Sequence, residues 1–440
     1  MPRNIVILLD GTSNQISGDR TNVLRLYGSL ERSARQVVFY EPGVGSFGLS
    51  GWWRRWQSKA RIVLGLANGA GIGDIVERAY RFLVENWQPD DRIYLIGFSR
   101  GAYTARLLAG FLRIFGLIRP EQLNLLRYAW RAYVRLGQPE SQTFSTEISH
   151  YQKVLRGRAV RIEFLGLWDT VASIFDHTAS FPWLTTTQKA YTNRNERVRR
   201  VRHALAIDER RTYFQPSLWE PGQHFEAWSP QQRRYTRVPQ DFEEVWFTGC
   251  HTDIGGGNPE AESGLAKIPL EWLYREASAA GILGREAVFE RLALGEPVPD
   301  RTGSHSATED TEVEASPEAE SVALDVAANR PHKAYTPPDP LAAINNSMNF
   351  AWATVEFLPR KIPKTALRRR PRLGHFYVPL FDHRRIPEGA KLHEVVRLRL
   401  ENCPDYRPVN LPRDYEFVST RPPAAGSATT PEPAARPSRT

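Results

Sequence analysis

The first apolar run of the chain, Asn4-Ile-Val-Ile-Leu-Leu9, has no polar interruption after its asparagine. An unbroken run of this length reads as a strand covered on both faces, the kind a parallel sheet buries between helical layers. It stops at the polar loop Asp10-Gly11-Thr12-Ser13-Asn14, and a candidate helix over Thr21 to Leu30 follows. Gln36 to Tyr40 reads as a second strand, closed by Glu41-Pro42-Gly43. Ile72, Ile75, Val76, Ala79, Tyr80, Leu83 and Trp87 recur at helical spacing, and Pro89-Asp90-Asp91 ends that helix. Ile93-Tyr-Leu-Ile96 is the third strand, with helix-compatible residues from Ala102 onward. Strand, helix, strand, helix predicts an α/β fold with a mostly parallel sheet and helices on both faces.

Beyond this point the pattern keeps alternating. Residues 117–155 read as amphipathic helix, with Leu123, Leu126, Trp130 and Tyr133 on one face, and suit a helical cap inserted between core strands. Val160 to Trp168 and Glu244 to Gly249 read as strands, and Gly264 to Ala277 as a helix. Residues 301–340 are rich in Ser, Thr, Glu, Ala and Pro with almost no aromatics, which predicts a disordered acidic insertion. The expected organisation is an α/β core over 1–298, with insertions at 46–71 and 117–155, then the acidic insertion at 299–339. Residues 340–412 return to the same domain, and 413–440 read as a flexible tail.

Composition narrows the picture only modestly. The formal net charge is +9, yet the arginines are scattered, so a generally basic surface is expected and no nucleic-acid partner. Two cysteines, Cys250 and Cys403, argue against a disulfide framework and for a reducing compartment. No signal-peptide pattern opens the chain and no apolar run reaches spanning length. A cytoplasmic location is the default expectation, with export by a signal-less route left open. Trp52-Trp53-Arg54-Arg55-Trp56 reads either as helix packing or as a lid or interfacial anchor for peripheral membrane contact. Arg368-Arg369-Arg370, Arg372 and Arg384-Arg385 read as a solvated basic zone, with anionic headgroups as the sharper alternative.

Candidate chemistry sits at the strand ends. Gly97-Phe98-Ser99-Arg100-Gly101 follows a buried-type strand and precedes a helix, the setting of a nucleophile elbow that presents Ser99. Asp169 follows the strand ending at Trp168 and suits a triad acid. His251, beyond the strand ending at Gly249 and in a loop loosened by Gly255-Gly256-Gly257, suits the base. The order Ser, Asp, His is that of α/β-hydrolases. Oxyanion donors are expected from the N–H of Arg100 and from Gly11 or Thr12. Asp10, Asp253 and His203 are candidate neighbours of the site. A metal site built on His251, Asp253 and Asp10 is a weaker alternative, because one histidine makes a poor transition-metal site. A phosphatase reading of the first loop fails because Leu8 stands where an aspartate nucleophile is needed.

Several longer stretches carry a resemblance: Leu8 to Thr12, Gly97 to Arg106, Gly166 to Val171, His203 to Glu209, Trp246 to Gly257 and Tyr406 to Leu411. Together they resemble the family of α/β-hydrolase domains that includes the first class of type VI secretion phospholipase effectors, over nearly the whole chain to about Pro412. The resemblance implies lipase- or phospholipase-like hydrolysis of carboxylic esters, an ester or lipid substrate, no cofactor, and a triad of Ser99, Asp169 and His251. An acyltransferase with the same triad, or an idle membrane- or partner-binding protein, are the other classes these features admit.

Overall fold

Among the described residues eight strands form one sheet in which every pairing is parallel. They are β1 (Asn4–Leu9), β2 (Gln36–Glu41), β3 (Arg92–Phe98), β4 (Ile162–Trp168), β5 (Val198–Ala206), β8 (Asp241–Phe247), β12 (Ala390–His393) and β13 (Tyr415–Val418). Their order across the sheet is β13-β12-β8-β5-β4-β3-β1-β2. An antiparallel hairpin, β6 (His224–Ser229) with β7 (Arg234–Pro239), leads into β8, and the short strands β9 (Arg360–Lys361), β10 (Arg372–Leu373) and β11 (Phe376–Tyr377) form a small separate sheet. The computed structural model describes residues 2–11, 20–43, 71–136, 141–171, 191–229, 232–295, 335–348, 352–353, 356–357, 360–361, 372–373, 376–378 and 380–420. Trp52–Trp56, Thr12, Arg368–Arg370 and the stretch 296–334 lie outside them.

The sheet has a core on each face, and the alternation of side chains along β1 feeds both. Ile5, Ile7 and Leu9 join Ile93, Leu95 and the helices α2 (Ile72–Asn86) and α3 (Arg100–Phe115). Val6 and Leu8 point the other way, toward Tyr94, Ile96, Phe98, α1 (Asn22–Ser29) and the helix at Gly264–Ala279. All six residues of β1 are buried, as a central strand covered on both faces requires. The expected α/β class, parallel sheet and two helical layers are thus present. Helices α4 (Leu126–Arg135) and α5 (Ser141–Leu155) occupy the excursion between α3 and β4, and Leu126, Ala129, Ala132 and Tyr133 bury one face of α4 in the first core.

β5 carries no continuous apolar pattern, because Arg199, Arg200 and Arg202 interrupt it. Arg199 pairs with Glu163 at 2.9 Å, Arg200 with Asp241 at 2.7 Å, and Arg202 with Asp241 at 2.7 Å and Glu276 at 2.5 Å. The stretch assigned to a flexible tail from residue 413 contains β13, whose Tyr-Glu-Phe-Val sequence adds an edge strand to β12. Its entry is held by Glu388, which accepts from the N–H groups of Arg413 and Asp414, each at 3.0 Å. Finally, His251 does not ride on a loose glycine loop. It starts a one-turn helix, α6 (His251–Gly255).

Strand register brings the carboxyl ends together. Leu9 lies beside Gly97, Phe98 beside Trp168, Trp168 beside Ala204, and Ala206 beside Phe247. Asp10, Ser99, Asp169 and His251 therefore leave the sheet at one edge, where parallel α/β folds carry their sites. The turn at Ser99 depends on its glycines. A Cβ on Gly101 would stand 2.1 Å from the Leu9 carbonyl oxygen, and one on Gly97 would stand 2.6 Å from the Gly101 backbone. Replacing a helical glycine by alanine ordinarily stabilises by up to ~1 kcal/mol. Here backbone cannot retreat as a flexible side chain would, so Gly101→Ala is expected to destabilise by roughly 1–3 kcal/mol or more, read as a lowered midpoint in urea unfolding.

Candidate active site

Ser99 connects β3 to α3 at φ 57°, ψ −121°, a left-handed conformation that costs a non-glycine residue on the order of 1–3 kcal/mol. The neighbours hold it there. Its N–H donates to the Trp168 carbonyl at 3.0 Å, and its own carbonyl accepts from Tyr103 at 3.2 Å. Arg100 is the first residue of α3, so its N–H has no partner within the helix and points where negative charge is favoured. The Arg100 side chain is buried, and burial lowers its guanidinium to about 10.

Asp169 leaves β4 in a second left-handed turn, at φ 39°. The Asp169 N–H extends the sheet ladder to the Ala204 carbonyl at 2.8 Å, which points the side chain into the space beyond the strand ends. There Oδ2 lies 2.5 Å from His251 Nδ1, and His251 Nε2 lies 2.8 Å from Ser99 Oγ. Asp169 as acceptor puts the proton on Nδ1, so Nε2 is left with a lone pair facing the Ser99 hydroxyl. Phe98 and Phe214 bracket the imidazole, with ring centroids 4.7 and 4.9 Å away. Gly255 makes room for Phe98, since a Cβ there would stand 2.0 Å from that ring.

Arg384 completes the polar layer, and its position corrects the expectation of an exposed basic zone. Its side chain and that of Asp169 are both fully buried. Arg384 Nη1 donates to Asp169 Oδ1 at 2.5 Å, and Nη2 to Oδ2 at 2.9 Å. The Ala206 N–H adds a second donor to Oδ1 at 3.1 Å. Burial alone would push the Asp169 carboxyl up, but the Arg384 charge and the His251 hydrogen bond outweigh it and hold it well below the usual carboxylate range. Burial lowers His251, partly offset by Asp169, so the imidazole is neutral at pH 7. Glu209 fixes the backbone of the same residue, accepting from the His251 N–H at 3.1 Å while Arg211 grips it at 2.8 and 2.9 Å.

The remaining expected residues fall behind or beside this line. The His203 ring lies one layer back: its Nε2 accepts from the Thr170 N–H at 3.2 Å, and its Nδ1–H donates to Glu244 at 2.8 Å. Burial lowers its pKa, which keeps it neutral. The 3.3 Å contact of Arg106 with the same Nδ1 sets donor against donor and is not a hydrogen bond. Asp10 is committed to Thr21 at 2.6 Å and Tyr40 at 2.8 Å. Its other oxygen accepts from the Gly11 N–H at 2.6 Å, which takes that candidate oxyanion donor out of use. Asp253 binds the Cys250 N–H at 2.9 Å and the Asn345 amide at 2.6 Å, so it shapes the turn before His251. The Cys250 thiol, raised to about 11 mainly by burial, contacts Ser347 at 3.0 Å and is no thiolate at neutral pH. A cavity of about 310 Å³ adjoins this turn, lined by Asp208, Glu209, Arg210, Cys250, Ser347 and Phe381 among others.

Residues 3–276 match the family model described as the type VI secretion, Tle1-like phospholipase effector, catalytic domain. The chain belongs to this family. An uncharacterized protein of Saccharomyces cerevisiae is 34% identical over 232 residues, which cover 50% of this chain and 33% of that protein. The chain thus spans about a third of the length of the curated relative it matches. Among solved structures, an uncharacterized protein from Pseudomonas aeruginosa is 21% identical with a TM-score of 0.35, covering 64% of this chain and 46% of that one. The Tle1 effector bound to the VgrG spike of the type 6 secretion system is 20% identical with a TM-score of 0.31, covering 60% and 53%. The motifs that resembled the effector family fall largely within the matched stretch, whereas Arg384 lies beyond it.

The burial of His251 generates a direct expectation. Its imidazole should titrate with a midpoint below the ordinary 6.5. Histidine-labelled NMR spectra, assigned with His251→Gln, check this. A titration midpoint at or above 6.5 contradicts it.

Proposed function

We propose that this Tle1-like domain is a serine hydrolase that cleaves a carboxylic ester bond in a lipid. The observation that carries the reading is the unbroken line of contacts from Asp169 through His251 to Ser99, meeting at a left-handed turn on a helix N-terminus. Membership of a phospholipase effector family supports the lipid as substrate class. Among the described residues no helix is long and apolar enough to cross a membrane. Contact with lipid is proposed to be peripheral, with delivery by the secretion route of the family.

In the proposed reaction Ser99 Oγ attacks the ester carbonyl carbon while its proton passes to His251 Nε2. Asp169 keeps hold of Nδ1–H and stabilises the imidazolium. The tetrahedral oxyanion is met by the Arg100 N–H, with Thr12 the remaining candidate from the first loop now that Gly11 is bonded to Asp10. Collapse breaks the ester C–O bond, and the leaving alcohol takes the proton from His251. Water then attacks the acyl-Ser99, gives one proton to His251, and releases the fatty acid as Ser99 recovers its own. Each step uses only this chain's groups, the ester and water.

A fluorophosphonate probe should label the wild type at Ser99 and leave Ser99→Ala unlabelled. Ester turnover in that variant should fall by on the order of 10⁵–10⁶. Labelling that persists in Ser99→Ala, or a wild type inert to both probe and lipid esters, counts against the reading.

A further inference from the structure

The main partner of the buried Asp169 carboxylate is a full cation. Arg384 grips both oxygens of Asp169 at 2.5 and 2.9 Å. The guanidinium is itself fixed, Nη1 to the Ala206 carbonyl at 3.1 Å and Nη2 to the Phe214 carbonyl. Its own backbone carbonyl accepts from Asn410 at 3.1 Å, and the same amide donates to the Ile207 carbonyl at 3.0 Å. The strand ends, the C-terminal segment and the Asp169 carboxylate are thereby locked together. A bidentate fork fixes the plane of a carboxylate as a point charge cannot.

The same contact changes the charge seen by His251. Oδ2 of Asp169 receives both His251 Nδ1–H and Arg384 Nη2, so an imidazolium formed there meets an ion pair and not a bare carboxylate. The other charges facing His251 are Glu209, at its N–H, and Arg211, paired to Glu209. Just before its helix stands the protonated Cys250 thiol, and on the helix Asp253, bound by Asn345. Ser99 and the rings of Phe98 and Phe214 close the remaining sides. Behind Asp169 the neutral His203 bonds to the Thr170 N–H.

We propose that Arg384, outside the matched stretch of residues 3–276, is a positioning residue of the active site that orients Asp169 and limits how basic His251 becomes. This rests on the catalytic reading above. The C-terminal segment is then part of the catalytic unit and not an appendage to it.

The test is steady-state hydrolysis of a p-nitrophenyl ester across pH by the full chain, with Arg384→Lys, Arg384→Gln and wild type compared after near-UV circular dichroism confirms folding. Arg384→Lys keeps a charge without the fork, so kcat should fall about 10- to 100-fold with KM little changed and the acid limb of kcat/KM near that of wild type. Arg384→Gln removes the charge, so the acid limb should also move to higher pH, because the imidazolium is no longer opposed. A folded variant of either kind with wild-type kcat overturns the proposal. So does activity that tracks only the folded fraction while the acid limb of Arg384→Gln stays in place. If Arg384→Gln does not fold, kcat of Arg384→Lys decides alone. Fluorophosphonate labelling separates the two readings: an unlabelled wild type removes the hydrolase reading, while a labelled wild type with indifferent variants removes only the role of Arg384.

Discussion

A carboxylate with no exposed surface has to be paired, and much of this structure converges on meeting that demand at Asp169. Removing one ion from water costs several kcal/mol even after the protein relaxes. At Asp169 the cost is offset by Arg384 on both oxygens, by His251 Nδ1–H and by the Ala206 N–H. These donors come from parts of the chain far apart in sequence, joined by a sheet whose strands run from Asn4 to Val418. Removing Arg384 would leave the carboxylate charge uncompensated in the interior, and that penalty exceeds the worth of an ordinary hydrogen bond.

Positioning by the sheet makes such convergence affordable. Parallel strands in register end at one edge, so residues after β3, β4 and β8 become neighbours without long loops. Two of those exits, at Ser99 and Asp169, are left-handed turns on residues other than glycine. Strain of that kind persists only where surrounding contacts over-determine it. Gly97 and Gly101 allow the close crossing of β1, β3 and α3 that provides those contacts.

Much of this was legible from residue order alone. Continuous apolar runs marked the central strands β1 and β3, and the residues at strand ends marked Ser99, Asp169 and His251, which the fold brings within hydrogen-bonding distance. β5 was hidden because its arginines look like solvent-facing residues until their acidic partners on β4, β8 and the helix at Gly264–Ala279 are in place. Arg384 was hidden for a similar reason. Beside Arg385 it reads as surface charge, and only tertiary structure reveals a carboxylate waiting for it. Gly11 looked available as an oxyanion donor because nothing in its sequence position announces that Asp10 folds back onto its N–H.

In the proposed reaction Ser99 carries the acyl group between two half-reactions. Quenching the full-length protein in acid during turnover of a slowly hydrolysed fatty-acyl ester, then mapping the peptides by mass spectrometry, tests it directly. An acyl mass increment is expected on the peptide containing Ser99, decaying as product appears. Turnover without any increment there, or with the acyl group on a different residue, would contradict it.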